Sequence, residues 1–267
     1  MAKLYSVRQF FESNISSITH TAALGSITPV TSVNKVANRS VLDAYSFTYT
    51  GIGTKTLTIN LSSTIGFNSI SILGMHSGIS VQSIKAFNGF SQLSTSTLVH
   101  EQIRNINGEN LTDITYSMDS GFSTCNKIEF IYSDVNTGTG QIGVIMPMSA
   151  ENDFHIKPDG SFNYTFASIG NKVITEGGQV FGTFTGSYRK CRFTTTAVIQ
   201  STINNPGGLV DINYQSGTIE PLIFIPDPGD SFLFYGTQNK PFTVKQVLGK
   251  IDNVWLQECT FDLVEEF

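Results

Sequence analysis

The segments Tyr45-Ser-Phe-Thr-Tyr49 and Leu57-Thr-Ile-Asn-Leu61 place an aromatic or aliphatic residue at every second position, with Ser, Thr and Asn between them. A side-chain period of two belongs to a half-buried β-strand, because successive side chains leave opposite faces of the backbone. Gly51-Ile-Gly53 lies between the segments and offers a turn free of Cβ clashes, so residues 45–61 are expected to form a hairpin.

Working outward, strand-like runs recur at Ser69–Leu73, Val81–Phe87, Lys127–Tyr132 and Gln141–Met146, separated by Gly, Asn and Ser clusters. No amphipathic helix of useful length intervenes. Short strands without helical crossovers point to antiparallel sheets in a jelly roll or β-sandwich. After Pro147 the composition shifts. Asp153–Phe166 reads as a polar connection dotted with aromatics, and Val173–Phe184 contains the pair Gly177-Gly178. Arg189–Ile199 and Leu222–Ile225 are further strand candidates, the segment Val244–Phe261 ends in two more, and Pro226-Asp-Pro-Gly229 is a turn signal. Trp255–Val264 alternates as a strand that closes the sheet. The expected fold class is all-β: an antiparallel jelly-roll or β-sandwich domain over residues 41–147, followed by a second antiparallel β domain over 148–267.

Residues 1–40 read differently. Phe10, Phe11, Ile15 and Ile18 could line one short helical stripe ahead of a Ser/Thr/Val-rich stretch with Pro29. This looks like an arm whose apolar residues must be covered, by the protein's own body or by a neighbouring subunit. The four residues are candidate assembly contacts.

Of the 267 residues 40% are hydrophobic and only 14% charged, well under the roughly 25% charged of an average globular protein. The surface is therefore mostly Ser, Thr, Asn and Gly, which repels neighbours weakly and suits close packing in an assembly. A net charge of −5 with 16 Lys and Arg spread thinly provides no basic stripe for phosphates, so nucleic acid is not an expected partner. Residues 1–30 lack the pattern of a signal peptide and no apolar stretch reaches spanning length, so neither export nor a membrane span is expected. Cys125, Cys191 and Cys259 sit far apart in apolar segments and are expected to be reduced core residues.

The stretches Phe67-Asn-Ser-Ile-Ser-Ile-Leu-Gly-Met-His76, Val81–Phe87, Asn126-Lys-Ile-Glu-Phe-Ile-Tyr-Ser-Asp134 and Gly140-Gln-Ile-Gly-Val144 together resemble a discoidin-like, or galactose-binding-like, jelly roll over residues 40–147. The chain as a whole is similar to structural proteins of the tail or baseplate of tailed bacteriophages, whose C-terminal halves resemble the Tyr188-Arg189 strand entry, the Pro-Asp-Pro turn and the acidic final strand. The resemblance implies a non-catalytic virion protein, assembled in a host cytoplasm, with other tail and baseplate proteins as partners and a homo-oligomeric state. It also implies a structural calcium ion in a loop for some such domains. Asp134-Val-Asn136-Thr-Gly138 begins like an oxygen-ligand loop, but Ile145 stands where a bidentate Glu belongs, and a turn is the better reading.

No HExxH, GxSxG or GxxxxGK[ST] signature occurs, and no GxGxxG opens a helix. No catalytic, cofactor or metal residue is therefore nominated. His20, His76, His100 and His155 are widely spaced, and His100-Glu101 is read as a solvated loop. Glu151 with Asp153 and Glu258 with Asp262 would serve a glycosidase only at a set separation, and surface charge explains them better. The alternative to a structural role is a carbohydrate-binding module for cell-surface glycans. That needs an exposed aromatic beside hydrogen-bonding groups, for which Phe87, Asn88, Phe90 and Tyr116 are the candidates.

Overall fold

A computed structural model describes residues 1–7, 11–76, 78–106, 109–134, 138–157, 162–174, 180–196, 198–199, 209, 220–227, 229, 232–251 and 254–265. The strands are β1 (Ala2–Val7), β2 (Ile15–Ala22), β3 (Ser26–Pro29), β4 (Tyr45–Thr50), β5 (Gly53–His76), β6 (Ile79–Asn88), β7 (Ser91–Ser94), β8 (Ser96–Ile106) and β9 (Glu109–Asp134). They continue as β10 (Gly138–Ile142), β11 (Val144–Phe154), β12 (Asn163–Ile174), β13 (Val180–Thr194), β14 (Val198–Ile199), β15 (Leu222–Ile225), β16 (Phe234–Gln238), β17 (Thr243–Ile251) and β18 (Val254–Glu265). Short 3₁₀ helices at Glu12–Asn14 and Val33–Ala37 interrupt the first part of the chain. The protein is all-β and antiparallel, as expected. No helix among the described residues is long and apolar enough to cross a membrane.

The two segments that announce the fold do not pair with each other. β4 lies between β3 and β10 in a separate three-stranded sheet, whereas β5 pairs with β2, β9 and β11 in the main sheet. The expected hairpin is instead a crossing between layers. Tyr45, Phe47 and Tyr49 bury against Leu57, Ile59, Phe130 and Tyr132 in one cluster, so two alternating strands satisfy their apolar faces by facing each other across a sandwich. Gly51, at φ +85°, makes the sharp exit from β4 in a conformation that costs other residues about 1 kcal/mol or more. The return crossing comes at Gly143, between β10 and β11, where a Cβ would lie 2.4 Å from the Leu73 carbonyl oxygen.

β5 and β9 are 24 and 26 residues long, and each joins runs that the sequence pattern separates. β5 alternates buried and half-buried residues up to Leu61, exposes Ser62, Ser63 and Thr64, and then is buried continuously from Ser69 to Met75. Register shifts between Asn60 and Ser69 mark the change of partners and of burial.

The N-terminus is not a free helical arm. β1 lies between β11 and β15 inside the main sheet, with Leu4 and Tyr5 fully buried in clusters on opposite faces. Phe11 and Ile18 are buried in the main cluster and Ile15 packs against it, so these three candidate assembly contacts fill the chain's own core. Phe10 lies outside the described residues. The spacing of Ile15 and Ile18 reads as helical because a bulge interrupts the register between Ile15 and Ser17. One extra residue returns Ile18 to the inward face, imitating the three-residue step of a helix with a strand.

The boundary expected after Pro147 falls within β11, which pairs with β5 up to Met148 and with β1 from Met148 onward. Among the described residues Pro147 has a strand partner on one side only, the kind of position that tolerates a residue with no N–H to donate. Asn163–Phe166, read as connection, opens strand β12. Both faces there remain open, so no buried/exposed alternation betrays the strand. The expected closing strand β18 is instead a hub, pairing with β13, β14, β16 and β17. Residues 175–179, with Gly177-Gly178, and Pro228 lie outside the described residues, as does the Trp255 side chain.

Candidate functional site

Four places gather groups capable of recognition or chemistry. The first is the turn between β6 and β7. Asn88 pairs with Ser91, leaving a two-residue loop with Gly89 first at φ +59°, the position where a type II′ turn needs glycine. The Gly89 N–H donates to Asn126 Oδ1 at 2.9 Å, pinning the turn to β9 and leaving the Phe90 ring wholly in water. Phe87, Asn88 and Phe90 are thus brought together. Phe87 has one face covered by the Lys127 ammonium, 4.1 Å from the ring centroid, which is itself paired with Glu129 at 2.9 Å. Tyr116 does not join them. It is buried in β9 opposite Ile70 and Leu98, and burial raises its hydroxyl pKa to about 12.

The second is a hydrogen-bonded cluster between the two sheets. On β2, Ile18 and His20 share the inward face, and His20 sits between two buried tyrosines: Nδ1 is 2.9 Å from Tyr45 Oη and Nε2 2.6 Å from Tyr132 Oη. Phe47 closes edge-on at 4.7 Å between ring centroids. A neutral imidazole is one donor and one acceptor, so it completes both contacts without charge. Lys55 is buried alongside, its ammonium 4.3 Å above the Tyr49 ring. Desolvation, and then repulsion from Lys55, lower the His20 pKa to about 4.

A stability signature follows from that shift. Above pH 6.5 neither the folded nor the unfolded histidine is protonated. As pH falls the unfolded chain takes up its proton first, near 6.5, and the folded chain only near 4, so stability declines through this window and levels below it. At about 1.4 kcal/mol per pH unit the loss is about 3 kcal/mol. Urea midpoints measured at pH 7, 5.5 and 4 are expected to fall more steeply for the wild type than for His20→Phe; equal slopes would assign the pH dependence to other groups.

The third is a groove of about 280 Å³ where the first 3₁₀ helix, β2 and the second 3₁₀ helix meet, lined by Glu12, Ile15, Ser16, Asn34 and Asn38. With Ser17 it offers one carboxylate, two amides and two hydroxyls above an aliphatic floor. The wall is braced by Arg39, which pairs with Glu12 at 3.0 Å and Glu220 at 2.6 Å.

The fourth is an aromatic row in the C-terminal half. Phe242 stacks on Phe261 (4.9 Å between centroids), Phe261 on Phe193 (4.9 Å) and Phe193 on Phe224 (3.9 Å). The row continues through Phe162 (6.0 Å), Phe232 (5.8 Å) and Tyr164 (5.1 Å) to Phe166 (5.9 Å). It starts in a packed core and ends in water, with Tyr164 45% and Phe166 70% exposed on β12. The sequence hides this patch because Asp153–Phe166 reads as a polar connection dotted with aromatics. The available signal was the step of two between Phe162, Tyr164 and Phe166.

The remaining chemical candidates are dispersed. His100 is buried in β8 while its neighbour Glu101 is exposed, so the pair lies on a strand with its members on opposite faces, not in a solvated loop. Glu258 is held by Lys157 at 3.1 Å and Asp262 approaches Lys240 at 3.7 Å. Asp153 is paired with Lys3 at 2.9 Å, and the side chain of Glu151 lies outside the described residues. So do the Asp134 side chain and residues 135–137 of the acidic loop. The three cysteines are buried and unpaired, and burial lifts each thiol pKa. Among the described residues no three His, Cys, Asp or Glu side chains converge as a metal site would require. No protein-family model matches the sequence, and no curated protein matches it.

Proposed function

We propose that this chain is a non-catalytic structural subunit that assembles through protein–protein contacts, as a component of the tail or baseplate of a tailed bacteriophage. The observation that carries the assembly reading is the aromatic row. A core that runs out through an edge strand and leaves Tyr164 and Phe166 in solvent is covered when a neighbour docks, since apolar patches and open sheet edges on a lone subunit invite uncontrolled association. The weakly charged surface supports the same reading, and the placement in a phage tail rests on the resemblance of residues 40–147 and of the C-terminal strands. The partners are then copies of this chain and other tail or baseplate proteins, met in the virion after assembly in the host cytoplasm. Mass photometry of the full-length chain over a concentration series, with negative-stain imaging of the species found, is expected to show discrete oligomers. A monomer at every concentration, unchanged by purified tail proteins, would sink the proposal.

Phe90 favours one second reading, recognition of a host-surface glycan. An aromatic ring held in water on a turn pinned to a neighbouring strand, two residues from the exposed Asn88, is a stacking platform for a sugar face. On this reading the full-length chain binds members of a bacterial glycan panel and Phe90→Ala lowers that binding about ten-fold or more, the equivalent of the ~1.4 kcal/mol that one ring contact supplies. A flat response of the wild type across the panel removes it.

A further inference from the structure

β12 ends the main sheet, and β13 is its only partner among the described residues. Among the described residues its outer edge therefore carries a row of backbone N–H and C=O groups with no strand to receive them. Natural sheets protect such edges with charges, prolines or bulges. β12 has one charged residue, Lys172, in twelve and no proline. Its single irregularity, between Ile169 and Gly170, lies beyond the aromatic part. The edge is open where Tyr164 and Phe166 are exposed.

We propose that this edge is completed by β12 of a second copy of the chain, running antiparallel about a two-fold axis at Thr165, so that the two main sheets become one. The pairing rests on the assembly reading above and specifies its interface. Only an extended strand satisfies both donors and acceptors of a sheet edge. A second copy fits because the segment is complementary to itself. In an antiparallel pair, residues directly opposite each other share a face. With Thr165 on the axis, Tyr164 of each copy stands opposite Phe166 of the other, on the face that already carries the aromatic row. Thr165 meets Thr165, and Asn163 meets Ala167. No charged residue occurs between Phe162 and Ser168, so the contact brings no like charges together.

The neighbouring registers are poorer. An axis at Tyr164 would set Phe166 against Phe162, which precedes the strand and already packs on Phe224 and Phe232. An axis at Phe166 would set Tyr164 against Ser168 and lose an aromatic pair. The proposed register gives two cross-strand aromatic pairs from two exposed rings per copy. The ring row then continues from one core, across the dyad, into the other.

A disulfide trap reads this geometry. Cα atoms of directly opposed residues lie about 4.5–5.5 Å apart, inside the range a disulfide accepts, and the native cysteines are buried. Full-length Thr165→Cys under mild oxidation is expected to yield a covalent dimer on a non-reducing gel. Asn163→Cys is the register control: its two copies would be four positions apart, roughly 13 Å, and about ten-fold less dimer is expected. Adding Phe166→Lys to Thr165→Cys is expected to abolish the cross-link at an unchanged circular dichroism spectrum, because Phe166 is exposed. Comparable cross-linking by Asn163→Cys and Thr165→Cys would overturn the register. If the wild type forms oligomers but Thr165→Cys does not cross-link, the edge pairing is wrong and assembly uses another surface. If the wild type is monomeric throughout and nothing cross-links, the pairing and the assembly reading fail together.

Discussion

A chain lacking residues 1–7 is expected to lose its cooperative fold. β1 is the strand between β11, which continues to β5 and β9, and β15, which continues to β16 and β18. Removing it leaves β11 and β15 each without one of their two neighbours and splits the sheet at its centre. Leu4 leaves the cluster containing Phe193, Phe224 and Phe261, and Tyr5 leaves the one containing Met146, Met148 and Ile223. Burying each side chain is worth about 1.5–3 kcal/mol, and the cavities left behind add to the loss. With the lost ladder bonds the total is comparable to the roughly 5–15 kcal/mol that holds a typical domain together. The truncated chain should show no sharp thermal transition by near-ultraviolet circular dichroism, and Leu4→Ala alone should cost about 3 kcal/mol in urea. A truncated chain that melts cooperatively near the wild-type temperature would show instead that the terminal strand is an appendage.

That result bears on how much of the molecule the sequence discloses. Fold class was legible because Tyr45–Tyr49 and Leu57–Leu61 alternate cleanly, and alternation is a local consequence of one face being buried. Which strands pair was not, because a strand that faces its successor across a sandwich and one that lies beside it carry the same pattern. The N-terminal strand escaped notice for a related reason: Ala2–Val7 is short and interior, and Leu4 and Tyr5 are buried on opposite faces, so no alternation marks it. The bulge near Ser16 turned a strand period into an apparent helical one. At the candidate sites, the Phe87–Phe90 turn was visible through its glycine, whereas Tyr116 was misplaced because a tyrosine in an alternating run gives no sign of which face is covered. The aromatic edge was hidden by the converse problem, a strand with both faces open.

The larger of the remaining effects is expected at Asp113, whose replacement by alanine should destabilise the protein by about 3–5 kcal/mol. Asp113 is fully buried on β9. Its carboxylate accepts the Gly74 N–H at 2.8 Å, Gln102 Nε2 at 2.8 Å and an Arg104 nitrogen at 3.1 Å, and it also forms an ion pair with Arg104 Nε. Arg104 reaches Glu265 at 3.1 Å, and Glu265 holds Arg189 through its backbone N–H at 2.9 Å and its side chain at 2.7 Å. Gln102 meanwhile accepts the Leu233 N–H at 2.7 Å and donates to the Leu233 carbonyl at 3.0 Å. The network thus ties β5, β8 and β9 to β13, β18 and the approach to β16.

Two guanidinium groups and two carboxylates balance in that network, and the balance decides the size of the effect. Deleting Asp113 alone leaves two cations facing one anion in a poorly solvated space, with the Gly74 N–H unmet, and a buried charge without its partner costs more than the pair contributes. Removing Arg104 as well restores neutrality, since Arg189 and Glu265 remain paired. Asp113→Leu with Arg104→Leu is therefore expected to be more stable than Asp113→Ala, despite carrying more substitutions, with urea midpoints as the measure. If the double variant is instead the less stable by the sum of two independent losses, packing and not charge balance governs this junction, and the two arginines act as separate props.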